Sequence, residues 1–301
     1  MEASKPLEEK IKSLGLTSNI EQVMEEGYTI ISPDKVAPEK FRNDLLNKII
    51  EIAEERTGNR ISLTKNTNSG TYKPIPQTDS QFVLYSLLFA DPIFEEWLMN
   101  DVVQTLSTYF LNNQGQLSSM SSFIKWKGES YKESYGIHAD TTPASDGSLP
   151  TNWLDACNSV YCLTDYSLEN GALGVVPKSH KLGRQPTKDD DLSNFTPVEA
   201  SKGSIIFWHG NLWHGAYPKK TDGLRINLTT FITHRRIKTQ ENIKNRVTKE
   251  MLKRNPSKAF ARMVGLNDHN GFDENGPDMS GIIKFGTSDQ MKRFTYDVND
   301  L

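Results

Sequence analysis

Around residue 118 the hydrophobic pattern of this 301-residue chain changes from a helical period to an alternating one. Five short segments follow, 119–127, 158–165, 172–177, 204–209 and 225–233, rich in Val, Ile, Phe, Tyr and Thr and separated by Gly, Pro, Asn or Asp. Strands spaced this way predict an antiparallel sandwich or barrel. Asn170-Gly171 marks a turn between the second and third of them. Before the break the spacing predicts helices over 38–57, 82–89 and 92–111, a capping box at Ser18–Glu21, and a short strand at Tyr28–Ile31. Beyond it, 237–263 returns to a basic helical pattern and the remainder reads as loop. The expected organisation is one domain, 1–301: a mainly helical part (1–115), a strand-rich core (116–236), and a helix and loop segment (237–301) placed as a candidate lid.

Within the strand-rich part lies Tyr135-Gly-Ile-His-Ala-Asp140. On a strand, residues two apart share a face, so His138 and Asp140 direct an imidazole and a carboxylate into one site. A second imidazole, with His214 of Trp208-His-Gly-Asn-Leu-Trp-His-Gly-Ala216 as the candidate, completes the two-histidine, one-carboxylate face that binds Fe(II) and leaves other positions open. Eleven residues after it, Arg225 opens the next strand. If the two strands are adjacent, the guanidinium enters the same cavity and offers a planar fork to a carboxylate. An internal salt bridge is the competing role for that arginine. His209 falls on the opposite strand face and His180 ends a Pro-Lys-Ser-His segment, so both read as structural.

Composition narrows the partners. With 36% hydrophobic and 24% charged residues the chain has the make-up of a folded protein. A net charge of −3 and pI near 6.1 give no electrostatic case for nucleic acid or an anionic membrane. No stretch approaches the ~20 apolar residues of a spanning helix, the N-terminus lacks a signal-peptide core, and Cys157 and Cys162 are placed on opposite strand faces where they do not pair. The expectation is a soluble, intracellular, cytoplasmic protein.

Together, Glu26-Gly-Tyr-Thr-Ile-Ile31, Leu173-Gly-Val-Val-Pro-Lys-Ser-His180, the His138/Asp140 pair, His214-Gly-Ala216 and Arg225 resemble the phytanoyl-CoA dioxygenase-like family of Fe(II)/2-oxoglutarate oxygenases over most of the chain. The resemblance implies an α+β fold with a double-stranded β-helix (jelly-roll) core buttressed by N-terminal helices. It implies Fe(II) held by His138, Asp140 and His214, with Arg225 on the distal carboxylate of 2-oxoglutarate and O2 as the oxidant. Tyr135 stands where relatives often carry Gln beside the C1 carboxylate, Leu173 where many carry Thr, and Asn227 where Ser is common; Tyr135 and Asn227 are the candidate donors. Related halogenases replace the carboxylate ligand with Gly or Ala, so Asp140 disfavours halogenation.

The implied reaction is oxidation of an unactivated C–H bond coupled to decarboxylation of 2-oxoglutarate to succinate and CO2: hydroxylation, desaturation or oxidative cyclisation. A small metabolite of specialised metabolism is the expected substrate, with Trp153, Trp213 and Arg184 as candidate pocket residues. The chain's final residues, Val-Asn-Asp-Leu, lack a peroxisomal Ser-Lys-Leu, which counts against an acyl-CoA substrate. Alternatives are an acyl-CoA or protein hydroxylase, a metal-dependent hydrolase or isomerase, and a ligand-binding jelly-roll.

Overall fold

The computed structural model describes residues 4–67, 77–129, 135–268, 274–276 and 279–285. Its strands, in chain order, are β1 (Tyr28–Ile31), β2 (Gln77–Thr78), β3 (Gln81–Leu84), β4 (Gly115–Lys125), β5 (Ala156–Cys162), β6 (Leu173–Val175), β7 (Thr196–Val198), β8 (Ile205–His209), β9 (His214–Ala216) and β10 (Arg225–His234). Two antiparallel sheets form. One has seven strands in the order β1-β8-β5-β10-β4-β3-β2, the other three in the order β7-β6-β9. They face one another as an open double-stranded β-helix rather than a closed barrel.

The central strand β10 shows how the sequence sorts the two faces. Ile226, Leu228 and Ile232 turn to the helix-covered side and join the main core, while Arg225, Asn227 and Thr229 turn inward. On neighbouring β5, Cys157 belongs to the helix-side core and Cys162 to the inter-sheet core, so the two thiols sit on opposite faces and both are free. The inter-sheet core contains Val160, Ile206 and Trp208 from the large sheet and Leu173, Val175 and Val198 from the small one.

The helical layer is N-terminal. Helices α1 (Lys5–Ser13), α2 (Thr17–Glu26), α3 (Pro33–Val36), α4 (Glu39–Thr57), α5 (Pro92–Leu98) and α6 (Asp101–Phe110) bury stripes such as Leu45, Ile49 and Ile52 of α4 and Val103, Leu106 and Phe110 of α6. Trp97 of α5 pins this layer to the sheet: its ring stacks 4.3 Å from Tyr161, and Nε1 donates to Thr230 Oγ1 at 2.9 Å. After β10 come α7 (Lys249–Arg254), α8 (Lys258–Met263) and α9 (Met279–Phe285). Arg254 and Asn255 both reach the buried Glu95 of α5, which ties the C-terminal helices back to the N-terminal layer. No helix among the described residues is long and apolar enough to cross a membrane.

Several local readings are corrected. Residues 82–89 form no α-helix; β3 carries the first part and a short 3-10 helix, Leu87–Phe89, the last. All four β3 residues are buried, and a short apolar run without alternation does not distinguish strand from helix. The 92–111 helix is broken at Met99–Asn100, where Asn100 Oδ1 accepts from the amides of Val102 and Val103 and starts α6 afresh. Ser18–Glu21 is no capping box, because α2 begins at Thr17 and has no side-chain cap. The 237–263 helix is two short ones, and α9 lies where loop was expected. Strand β7 escaped notice, since three residues around Pro197 carry no alternation.

Candidate metal and cosubstrate site

His138 and Asp140 do not lie on a long strand. Their segment makes a single bridge to β9: the His138 amide donates to the His214 carbonyl at 3.0 Å and the His214 amide to the His138 carbonyl at 2.9 Å. Two features hold this loop in place of a ladder. The Gln185 side chain imitates a neighbouring strand, accepting from the Ala139 amide and donating to the Ala139 and Thr141 carbonyls. Gly215 admits the loop: a Cβ there would stand 2.3 Å from the Tyr135 carbonyl oxygen, which accepts from Ala216 N. Tyr135 itself adopts the left-handed conformation (φ 52°), uncommon for a non-glycine residue.

The three ligand atoms of His138, Asp140 and His214 lie within 4.8 Å of one another. Asp140 Oδ1 is 3.6 Å from each imidazole Nε2. The second atom of every group is already committed. His138 Nδ1 lies 2.7 Å from the Gly136 carbonyl and His214 Nδ1 2.9 Å from that of Leu212. A carbonyl only accepts, so each Nδ1 carries the proton and each Nε2 keeps its lone pair for the centre. Asp140 Oδ2 accepts from Asn158 Nδ2 at 3.1 Å and Trp208 Nε1 at 3.0 Å, leaving Oδ1 to face the imidazoles. This donor set fits a divalent transition metal.

Electrostatics agree with that geometry. Burial pushes the Asp140 carboxyl up, but His214, His138 and the Asn158 hydrogen bond outweigh it and hold its pKa at about 2. Burial lowers the His214 imidazole, whereas the nearby Asp140 carboxylate raises that of His138.

His138, Asp140 and His214 line a cavity of about 190 Å³ together with Tyr135, Asn158, Tyr166, Leu173, Trp208, Arg225, Asn227 and Thr229. Arg225 enters it from the large sheet and His214 from the small one, so the two strands face each other across the sandwich and are not neighbours in one sheet. Arg225 is 4% exposed, its guanidinium lies over the Tyr166 ring, and its Nε has no partner among the described residues. Among the described residues no carboxylate pairs with it, so the competing internal salt bridge is not formed. Two buried lysines accompany it. Lys125, directly opposite Arg225 on β4, is pushed down to about 6 by burial and then by Arg225 and Lys219; Lys219 is pushed down to about 8 by burial and Arg225.

Of the other expected site residues, Tyr135 and Asn227 line the cavity and three lie outside its lining. Asn227 lines the cavity with its amide committed, Oδ1 accepting from Phe123 N and Nδ2 donating to Tyr166 Oη. Trp153, Trp213 and Arg184 are not among the lining residues. Trp153 is exposed beside Arg236, and Trp213 is buried, donating Nε1 to the Arg184 carbonyl. Arg184 pairs with Asp190 and covers the Trp213 ring. His209 lies outside the triad, its ring 5.0 Å from that of His180. The residues that sequence reasoning missed are those behind the ligands: Trp208, Asn158, Gln185, Tyr166 and Lys125. Only Trp208 stood inside a quoted motif.

A double-stranded β-helix presenting two imidazoles and one carboxylate to a single cavity, with a buried arginine on the facing sheet, defines the class of two-histidine, one-carboxylate jelly-roll proteins. The phytanoyl-CoA dioxygenase family matches residues 24–227, and the chain belongs to that family. It is 32% identical over 149 residues to dioxygenase af480 of Aspergillus fumigatus, covering 48% of this chain and 46% of that protein. It is 24% identical over 166 residues to phytanoyl-CoA dioxygenase 1 of Oryza sativa, covering 50% and 56%. The chain thus spans about half the length of the curated relatives it matches. Among solved structures, HygX from Streptomyces hygroscopicus with nickel and 2-oxoglutarate bound superposes with a TM-score of 0.54 at 14% identity, covering 72% of this chain and 86% of HygX. The carbocyclase SnoK from nogalamycin biosynthesis superposes with a TM-score of 0.53 at 17% identity, covering 77% and 90%. At such identities these likenesses establish the fold.

Proposed function

We propose that this chain is an Fe(II)/2-oxoglutarate-dependent dioxygenase that oxidises an unactivated C–H bond of a small metabolite, by hydroxylation, desaturation or oxidative cyclisation, in specialised metabolite biosynthesis. One observation carries the reading: a single small cavity joins a triad of metal-ligand type to a buried arginine that has no carboxylate partner among the described residues. That combination suits a diacid held by its far carboxylate on Arg225, with His138, Asp140 and His214 holding Fe(II) at the other end. When bound, iron and 2-oxoglutarate supply the activation of O2, with succinate and CO2 as the products of the cosubstrate.

The chain's own residues prepare that chemistry. Gly136 and Leu212 carbonyls fix both imidazoles in the tautomer that binds metal, and Trp208 with Asn158 stops the carboxylate from rotating. Tyr166 backs the guanidinium, while Val160, Leu173 and Trp208 keep the cavity wall apolar. HygX has also been crystallised with hygromycin B, and SnoK belongs to nogalamycin biosynthesis, which favours a small functionalised product as the substrate class. The plant relatives named phytanoyl-CoA dioxygenase favour an acyl thioester instead.

The test is anaerobic. Fe(II) and then 2-oxoglutarate are added to the purified protein and the visible spectrum is recorded. A weak charge-transfer band requiring both additions supports the reading and justifies screening metabolites and acyl thioesters by succinate release. Fe(II) binding without a band overturns it in favour of a metal-dependent hydrolase or isomerase, or of a ligand-binding jelly-roll.

A further inference from the structure

We infer that Thr229 orients the cosubstrate, its hydroxyl donating a hydrogen bond to the carboxylate at the metal end of 2-oxoglutarate. This rests on the dioxygenase reading. Thr229 lines the cavity and is 8% exposed, yet its Oγ1 has no hydrogen-bond partner among the described residues. A buried hydroxyl left unpaired is costly, and it is retained where a ligand completes it.

Position says which end of the ligand it meets. Arg225, Asn227 and Thr229 alternate along one face of β10, placing Thr229 about 13 Å along the strand from Arg225. The next inward residue, Phe231, pairs across the ladder with Asn158, whose amide holds Asp140. Thr229 therefore lies between the arginine and the support of the metal carboxylate.

The neighbouring amide and indole donors on the wall are engaged. Asn227 is fixed between Phe123 N and Tyr166, Asn158 and Trp208 hold Asp140, and Asn158 Oδ1 accepts from Ser159 N. The Tyr135 ring packs against Phe195 and Tyr217, centroids 4.8 and 5.1 Å away, within an aromatic cluster. Thr229 thus takes, in this proposal, the donor role that the family resemblance offered to Tyr135 or Asn227.

The experiment is an anaerobic titration of the Fe(II)-loaded full chain with 2-oxoglutarate, followed by the charge-transfer band, for wild type, Thr229→Val, Thr229→Ser and Tyr135→Phe. Valine matches threonine in shape and lacks the hydroxyl, and serine restores the hydroxyl alone. The expected result is an approximately tenfold weaker Kd and a displaced band for Thr229→Val, with Thr229→Ser near wild type. An unchanged Kd and band in Thr229→Val, or the loss appearing in Tyr135→Phe instead, overturns the inference while the wild-type band still supports the dioxygenase reading. Absence of a wild-type band sinks that reading first and this inference with it. If Thr229→Val does not fold, the serine variant decides alone: an affinity as weak as that of Arg225→Ala makes the threonine's methyl, not its hydroxyl, the needed group.

Discussion

The guanidinium of Arg225 lies 4.5 Å from the centroid of the Tyr166 ring, and the Tyr166 hydroxyl accepts from Asn227 Nδ2 at 2.7 Å. Asn227, two residues along the same strand, thereby supports the arginine indirectly through the ring beneath it. Burial raises the Tyr166 phenol to about 12, so the ring stays neutral beneath the cation. Among the described residues no anion pairs with the charge, which lines the cavity.

Replacing that charge should be felt in cosubstrate affinity before anything else. A charge-assisted hydrogen bond is worth up to about 3 kcal/mol, so Arg225→Ala is expected to weaken 2-oxoglutarate binding roughly 100-fold. Arg225→Lys should recover little of it, since an ammonium offers no planar fork and stacks poorly on Tyr166. Isothermal titration with Mn(II) in place of Fe(II) measures both; wild-type affinity in Arg225→Ala would remove the arginine from the cosubstrate site.

A separate prediction concerns the indole behind the carboxylate. Trp208 Nε1 donates to Asp140 Oδ2 at 3.0 Å, and the ring sits 5.0 Å from that of His214. Trp208→Phe keeps most of the volume and deletes the donor. Loss of such a supporting hydrogen bond typically costs about 10- to 100-fold in metal affinity. Competition with a chelator measures it, and metal binding as tight as wild type would show that Asn158 alone suffices to fix Asp140.

The contrast between these residues explains what a sequence reading can reach. His138, Asp140, His214 and Arg225 were legible because their chemistry is unusual for strand positions and their spacing is short or familial. Trp208, Gln185 and Tyr166 were not, because what they do depends on partners that only folding brings near: Gln185 clamps Ala139 from 46 residues away. The same limit misplaced β3. Its residues favour a strand only because β4 is there to pair with, and an isolated apolar run carries no record of that neighbour. Trp153, Trp213 and Arg184 were chosen for residue type alone, and packing put all three outside the cavity lining.

Acid should destabilise the fold through a histidine that takes no part in the triad. Burial, and then neighbouring His180, push His209 down to about 3, against about 6.5 in an unfolded chain. Between those values the unfolded state binds a proton that the folded state refuses. Stability is therefore complete above about pH 6.5 and falls as the pH drops toward 3, by at most about 1.4 kcal/mol per pH unit from this residue. His209→Asn retains an acceptor for the Asn211 amide and removes the titration. Urea melts at pH 7 and pH 4.5 should show a smaller difference for the variant; equal differences would assign the acid sensitivity to other groups such as His234.

The helical layer holds the site rigid through one tryptophan, and that dependence can be measured. Trp97 is fully buried, stacked 4.3 Å from Tyr161 and 6.4 Å from Phe41, with its Nε1 on Thr230 Oγ1. Thr230 immediately follows Thr229 and faces the opposite side of β10, so the contact fixes the strand that carries Arg225 without touching the cavity. Trp97→Ala empties a core position and leaves a buried hydroxyl without its donor, which should cost about 3–5 kcal/mol. Trp97→Phe keeps the stacking and loses only the hydrogen bond, an expected cost of about 1 kcal/mol. Chemical denaturation of the metal-free protein separates the two. A Trp97→Ala loss below about 1 kcal/mol would mean that α5 is not what secures β10, and the tie between Glu95 and Arg254 would become the next candidate.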